Sequence, residues 1–218
     1  MRRWLWLNGL ALAMFGAFLV FLTLQSIAGW KAENHELADF GRPPQRYGEY
    51  VTGGSFVEAV FENWESEFLQ IGSYVLLTAW LVQRGSPESK PLEGDDDNPE
   101  DPRQVRADSP MPVRRGGLLL KLYETSLSTA ILGLFALSFV LHLLGGTAAY
   151  NDEQALLGKP PVSAGQFLFS SEFWEQSMQN WQSEFLSVGV LIVFGIFLRQ
   201  RGSSQSKPVA APHAKTGD

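Results

Sequence analysis

Four apolar segments, separated by polar stretches, limit what this chain of 218 residues can fold into. They cover residues 4–28, 68–82, 118–144 and a last stretch that ends at Arg199. About 20 apolar residues in a helix are enough to cross a ~30 Å hydrocarbon layer. Acids, prolines and glycines fill the gaps between the segments. We therefore predict an all-α integral membrane protein with four transmembrane helices.

A seven-residue phrase occurs twice in the chain, 117 residues apart, and leads each time into an apolar segment. Residues 63–69 read Asn-Trp-Glu-Ser-Glu-Phe-Leu, and residues 180–186 read Asn-Trp-Gln-Ser-Glu-Phe-Leu. At the same offset, and without a gap, residues 8–91 match residues 125–208 at 31 of 84 positions. A period this long indicates two structural units rather than a solenoid. We predict a four-helix bundle that consists of two repeated helical hairpins running in the same direction.

The breaks between apolar segments give the expected domain boundaries. Gly41 and the prolines at 43 and 44 should end the first helix, and Ser55 with Glu58 fits a capping box that opens the second. The region after Gly85 contains an acidic run, five prolines and few large apolar residues, as disordered linkers do. The predicted parts are repeat 1 at 1–84 with an outer loop at 30–55, a disordered cytoplasmic linker at 85–115, repeat 2 at 116–202 with an outer loop at 147–171, and a flexible tail at 203–218.

The first apolar segment has a second interpretation. Arg2 and Arg3 precede it, and Ser-Ile-Ala at 26–28 resembles a signal-peptidase site, as in a secretory leader. The repeat favours a retained helix, because residues 10–29 align with residues 127–146 in the middle of the chain.

Lysine and arginine predict the orientation of the helices. Thirteen of the seventeen lie at the N-terminus, in the linker or in the C-terminal tail, and four lie in the two outer loops. Because basic residues concentrate in cytoplasmic segments, both termini should face the cytoplasm of a multi-pass membrane protein.

Polar residues at spacings of three and four form a stripe on one helical face in each copy. The stripes contain Asn63, Ser66, Glu67 and Gln70 in the first copy, and Asn180, Ser183, Glu184 and Ser187 in the second. Gln25 and His142 hold equivalent positions in the first and third segments, at a similar expected depth. If both stripes face the interior, Glu67 and Glu184 with His142 form a cation or proton site. If they lie at the membrane surface, they only form hydrogen bonds between helices.

Composition and motifs exclude several classes of site. The chain has no cysteine, which excludes disulfides, thiolate metal sites and a cysteine nucleophile. His35 and Glu36 do not have the spacing of a zinc helix, and we expect no metal and no cofactor. There is no nucleophile elbow, glycine-rich phosphate loop or basic stripe with aromatic residues. We therefore expect neither an enzyme nor a nucleic-acid-binding protein.

Three repeated motifs carry a resemblance to a known family. They are Asn-Trp-x-Ser-Glu-Phe-Leu, Gly-x-Pro-Pro, and Arg-Gly-Ser-x-x-Ser-Lys-Pro at 84–91 and 201–208. With them the chain resembles a family of small bacterial inner-membrane proteins that is classed as a domain of unknown function. The resemblance implies a four-helix membrane protein of bacterial origin and assigns no role to any residue.

Two functional hypotheses remain open. In the first, the protein has a structural or interaction role in the envelope, with the lipid bilayer around it and a second copy or an envelope protein as partner. In the second, it is a cation- or proton-handling transporter or channel subunit.

Overall fold

The computed structural model describes residues 2–90, 105–106 and 108–217, all in helices or connecting segments. The described residues contain no strand, which confirms the all-α prediction. The central part of the predicted linker, residues 91–104 and 107, lies outside the described residues. The helices are α1 (Arg2–Leu7), α2 (Gly9–Asp39), α3 (Tyr47–Val51), α4 (Gly54–Trp80), α5 (Met111–Arg115), α6 (Gly117–Glu124), α7 (Ser126–Leu156), α8 (Ala164–Leu168) and α9 (Ser171–Phe197).

Three of these helices recur with their bounds shifted by 117 residues. The bounds of α2, α3 and α4 correspond in this way to those of α7, α8 and α9. The offset that aligns the two halves of the sequence therefore also aligns the beginnings and ends of their main helices.

The first and third apolar segments are interrupted helices, whereas continuous helices were predicted. The breaks lie at Asn8 and Thr125, which are equivalent positions. Asn8 Nδ2 donates to Trp4 O at 2.8 Å, and Thr125 Oγ1 donates to Lys121 O at 3.4 Å. Side chains of these types compete with the main chain for carbonyl oxygens, which accounts for a break at each position.

The ends of α2 and α7 agree with the predicted stop signals. Gly41 and Gly158 follow the two helices with φ of 65° and 70°, in the left-handed region that favours glycine. The next residue closes the turn in each copy: Arg42 N–H donates to Leu37 O, and Lys159 N–H donates to Gln154 O, both at 2.8 Å.

The prediction that Ser55 caps the start of the second long helix is wrong. α4 begins at Gly54, so Ser55 lies inside the helix, and Ser55 Oγ donates to Glu33 Oε1 at 3.2 Å. A capping box is found one helix earlier in the second copy, where Ser163 and Gln166 exchange hydrogen bonds at the start of α8. In both copies the short helix, α3 or α8, separates the proline segment from the long helix that follows.

Three of the described helices are long and apolar enough to cross a membrane: α2, α7 and α9. They indicate a membrane protein. The fourth helix of the predicted bundle, α4, is not among them, since its first half carries Glu58, Glu62, Glu65 and Glu67.

The chain divides into two compact units. Unit 1 comprises Met1–Phe61 and Val140–Phe173, and its core includes Tyr50, Val60, Phe167 and Phe173. Gly29 and Gly146 are equivalent, and each leaves room for a ring, of Tyr50 in the first copy and of Phe167 in the second. Burial, with Glu33 and Tyr47 nearby, raises the pKa of the Tyr50 hydroxyl.

Unit 2 comprises Glu62–Phe139 and Trp174–Asp218, and in it α4 packs against α7 and α9. A Cβ atom at Gly72 would lie 2.8 Å from Leu132 Cδ2, so α4 approaches α7 closely at this glycine. The tail, predicted to be flexible, is described as far as Gly217 and is hydrogen-bonded to the segment after α4. One residue of the tail, Lys207, is buried, and composition does not distinguish it from the other tail residues.

Candidate functional site

The first predicted polar stripe divides between two sides of α4. Ser66 and Gln70 are buried, whereas Asn63 and Glu67 are exposed. Ser66 Oγ donates to Asn63 O of its own helix at 2.8 Å. Glu67 is therefore not an interior carboxylate of unit 2, although it was the leading candidate in the sequence.

The second stripe is more open than the first. Asn180 and Glu184 are half-buried, while Ser183 and Ser187 are exposed. Ser183 Oγ donates to Asn180 O and Ser187 Oγ donates to Glu184 O, both at 2.8 Å. Bonds of this kind satisfy the hydroxyls within α9.

Two other glutamates of α4 accept hydrogen bonds from α9. Glu65 is completely buried, and its Oε1 accepts a hydrogen bond from Trp181 Nε1 at 2.8 Å. One turn earlier, Glu62 Oε1 accepts from Asn180 Nδ2. These bonds join residues more than 110 positions apart in the chain, so they connect the first copy of the repeat with the second.

Aromatic rings surround the donor of the Glu65 bond. The ring of Trp181 lies 6.1 Å from that of Phe135 and 6.3 Å from that of Trp174, both edge-on. The acceptor Glu65 is completely buried, and a hydrogen bond shielded from water is electrostatically stronger than one in water. The indole and amide donors carry no charge, so these two bonds do not neutralise the carboxylates that accept them.

A buried hydroxyl lies on the same face of α9. Ser177 is 1% exposed, and among the described residues its Oγ has no hydrogen-bond partner. It precedes Asn180 by three residues and Trp181 by four, which places the three side chains side by side on the helix. We call Glu62, Glu65, Ser177, Asn180 and Trp181 the α4–α9 cluster.

His142 and Gln25 differ in the structure although they are equivalent in the sequence. His142 of unit 1 is completely buried, and its imidazole stacks on Phe173 with the ring centres 4.8 Å apart. Gln25 is exposed on α2.

The sequence contains one signal that points to Glu65. Gly72 follows it by seven residues, or two helical turns, and a small residue in an apolar helix often marks the face that packs against a neighbour. A face drawn through Gly72 contains Glu65 and excludes Glu67, because two residues correspond to a rotation of about 200°.

The described residues contain no group of three or more histidine, aspartate or glutamate side chains that could hold a metal ion. The oxygen atoms that the α4–α9 cluster offers are those of two carboxyl groups, one hydroxyl and the amide of Asn180. Oxygen ligands suit hard cations, and they suit a bound water equally well.

Comparison with known proteins gives one match. The family model described as a domain of unknown function, DUF6766, matches residues 1–218. No curated protein and no solved structure matches the chain.

Proposed function

The chain belongs to the DUF6766 family of unknown function, and we propose that it is a non-enzymatic membrane protein with a structural or interaction role in the bacterial envelope. Polar groups hold its transmembrane helices together in this proposal, and its partner is a second copy or another envelope protein. One observation carries the proposal. The completely buried carboxylate of Glu65 is joined to the indole of Trp181, which belongs to another long helix.

We further propose that α4 is a fourth transmembrane helix. Its contacts with α9 support this, because they follow the same direction along both chains. In the first halves of the two helices, Glu62 and Glu65 contact Asn180 and Trp181. Near the end of α9, the segment after α4 lies close to it, since a Cβ atom at Gly85 would lie 3.1 Å from Ile196 Cγ2. A helix that lies beside α9 between two such contacts crosses the same layer, and α9 is apolar enough to span a membrane.

The glutamates of α4 are compatible with this position. Glu65 and Ser66 are buried within the protein, so neither group meets lipid directly. Intramembrane polar groups that face other helices commonly form bonds between them. With four spans and the basic residues on one side, both termini lie in the cytoplasm.

The first experiment tests the structural role through Glu65. A glutamine there can still accept the hydrogen bond from Trp181, whereas a leucine cannot. We expect the thermal midpoint of the purified protein in detergent to be nearly unchanged by Glu65→Gln and clearly lowered by Glu65→Leu. Glu67→Leu, on the exposed side of the same helix, is the matched control and should have little effect. An equal effect of the two leucine substitutions would contradict the role proposed for Glu65.

A cation- or proton-handling role is the second candidate, and Ser177 favours it. A buried hydroxyl without a partner costs free energy. Ser177, which has none among the described residues, is one helical turn from Asn180 and Trp181, the residues that bind two carboxyl groups of α4. A monovalent cation or a water bound there would satisfy it. Glu67, Glu184 and His142 remain the predicted working residues of this candidate. Four spans enclose little polar volume, so conduction would need an oligomer.

Ion flux distinguishes the two candidates. The protein is reconstituted into liposomes that contain a dye sensitive to pH, sodium or potassium, and a membrane potential is applied. The structural role predicts no more flux than in protein-free liposomes. The transport role predicts flux that is lost in the double variant Glu67→Gln, Glu184→Gln or in Glu65→Gln, while the circular dichroism of each variant stays normal.

A further inference from the structure

The segments that follow α4 and α9 fold into the same local structure. In residues 83–90, the first exit, Gln83 N–H donates to Ser89 Oγ at 2.9 Å. In residues 200–207, the second exit, Gln200 N–H donates to Ser206 Oγ at 2.9 Å. Their glycines, Gly85 and Gly202, have φ of 83° and 84°. Both exits lie in unit 2.

The lysines that end the two exits have opposite environments. Lys90 is exposed, whereas Lys207 is 1% exposed. Lys207 Nζ lies within hydrogen-bond distance of four main-chain oxygens, those of Gly85 at 2.5 Å, His213 at 2.9 Å, Lys215 at 3.1 Å and Pro212 at 3.4 Å. Its ammonium group is therefore enclosed by carbonyls from the first exit and from the tail.

Further bonds join the tail to the first exit. Gly85 N–H donates to Thr216 Oγ1 at 2.8 Å, and Gly217 N–H donates to Ser86 O at 3.0 Å. Gly85 thus binds the tail through both its N–H and its carbonyl group. A Cβ atom at this position would lie 2.7 Å from His213 O, so the close approach requires glycine.

The tail also returns to the end of its own helix. Arg199 Nη2 donates to Ala211 O at 3.0 Å, and His213 Nδ1 lies 3.0 Å from Ile196 O. Through these contacts the tail connects the end of α9 with the first exit. Gly85 of that exit is 122 residues from Lys207 in the sequence.

We propose that residues 208–217 are a clasp that ties the first exit to the second, and that the ammonium group of Lys207 in its cage of carbonyls closes it. An ammonium group has three donors and suits a site made of main-chain oxygens. The charged groups near it are Arg199 and Lys215, while the ring of His213 lies against Arg199, with Nδ1 3.4 Å from Arg199 Nη2. Burial, with Arg199 and Lys215 nearby, lowers the pKa of the Lys207 amine.

The clasp links the end of α9 to the first exit. A rearrangement that moves α4 and α9 apart here must withdraw Lys207 from its cage and break the hydrogen bonds of Gly85 and Gly217. The inference stands apart from the proposed function, since it concerns only contacts within unit 2.

Hydrogen exchange followed by mass spectrometry tests the clasp in the full-length protein. Lys207→Met keeps the length of the side chain and removes its donors. We expect exchange in residues 83–90 and 208–217 to become on the order of tenfold faster or more. Lys90→Met is the matched control because it alters the equivalent lysine of the first exit, and it should leave exchange in residues 208–217 unchanged. Unchanged exchange within α9 will show that Lys207→Met still folds.

Restoring the amine provides a second test. The chain has no cysteine, so the thiol introduced by Lys207→Cys is the single site for alkylation. Its thiolate displaces bromide from 2-bromoethylamine, which leaves a side chain with an ammonium group at nearly the original distance. We expect this product to regain slow exchange, while alkylation with 1-bromopropane, which supplies no ammonium, should not restore it.

The proposal would be overturned by either of two results. In one, Lys207→Met exchanges like the unaltered protein in both segments. In the other, the propyl and aminoethyl products protect the tail equally, which would mean that packing rather than the ammonium group holds it.

Discussion

At the residue scale, burial separates carboxylates that look alike in the sequence. Glu65 is enclosed and bonded to an indole, while Glu67, two residues later, is exposed. The same holds for Lys90 and Lys207, which hold equivalent positions in the repeated motif and differ in their surroundings. The chemistry available to each side chain is therefore decided by the face of the helix or turn on which it lies.

The bond between Trp181 and Glu65 leads to a stability prediction. Trp181→Phe keeps an aromatic ring and removes the donor, which leaves a buried carboxylate without that bond. We expect the free energy of unfolding to fall by about 1–2 kcal/mol, within the range for lost hydrogen bonds in proteins and membranes. Circular dichroism during heating in detergent measures it. Trp80→Phe, at the exposed end of α4, should have no comparable effect, and equal effects would refute the prediction.

At the element scale, small residues determine how closely the helices and loops approach. Gly29 on α2 leaves space for the ring of Tyr50, and Gly72 on α4 leaves space for Leu132. Gly16 on α2 has no side-chain or main-chain neighbour within 4 Å of the place where a Cβ atom would lie. Glycines that look equivalent in an apolar helix therefore differ in whether they tolerate a methyl group.

Alanine substitutions on α2 test this difference. In Gly29→Ala the new Cβ atom would lie 2.9 Å from Tyr50 Cζ, so the ring must move. We expect a loss of about 1–3 kcal/mol in the free energy of unfolding, as in other overpacked cores. Gly16→Ala should not lower the thermal midpoint, because nothing obstructs the added methyl group. If both variants melt alike, the close approach of Tyr50 to Gly29 is not a determinant of stability.

At the scale of the whole molecule, the number of spans decides on which side each segment lies. Four spans put the N-terminus, the linker and the tail on one side. Three spans formed by α2, α7 and α9 alone would put the tail opposite the N-terminus. The contacts of α4 and the segment after it with α9 support the proposal of four spans.

Single cysteines in this cysteine-free chain test the topology. We expect thiols introduced at Arg2, Asp108 and Ser204 to react with an impermeant maleimide only when the cytoplasmic side is accessible. A thiol introduced at Thr52, between α3 and α4, should react only from the opposite side. Reaction of the Arg2 and Ser204 positions from opposite sides would establish three spans and refute the fourth.

The sequence by itself determined the helical class, the apolar segments and the register of the duplication. These depend on local composition and periodicity, and the glycine stops at 41 and 158 depend on local backbone geometry. The helix breaks at Asn8 and Thr125 were missed because the apolar pattern continues through them.

Only the tertiary structure decided which polar residues are enclosed. Glu65 rather than Glu67 is enclosed and hydrogen-bonded to α9, Ser177 is buried with no hydrogen-bond partner among the described residues, and Lys207 rather than Lys90 is surrounded by carbonyls. Residues at spacings of three and four cover an arc of about 100° on a helix. An arc of this width contains residues on both sides of a contact. The rotation of each helix about its axis is set by the neighbours that pack against it, and those neighbours are distant in the sequence.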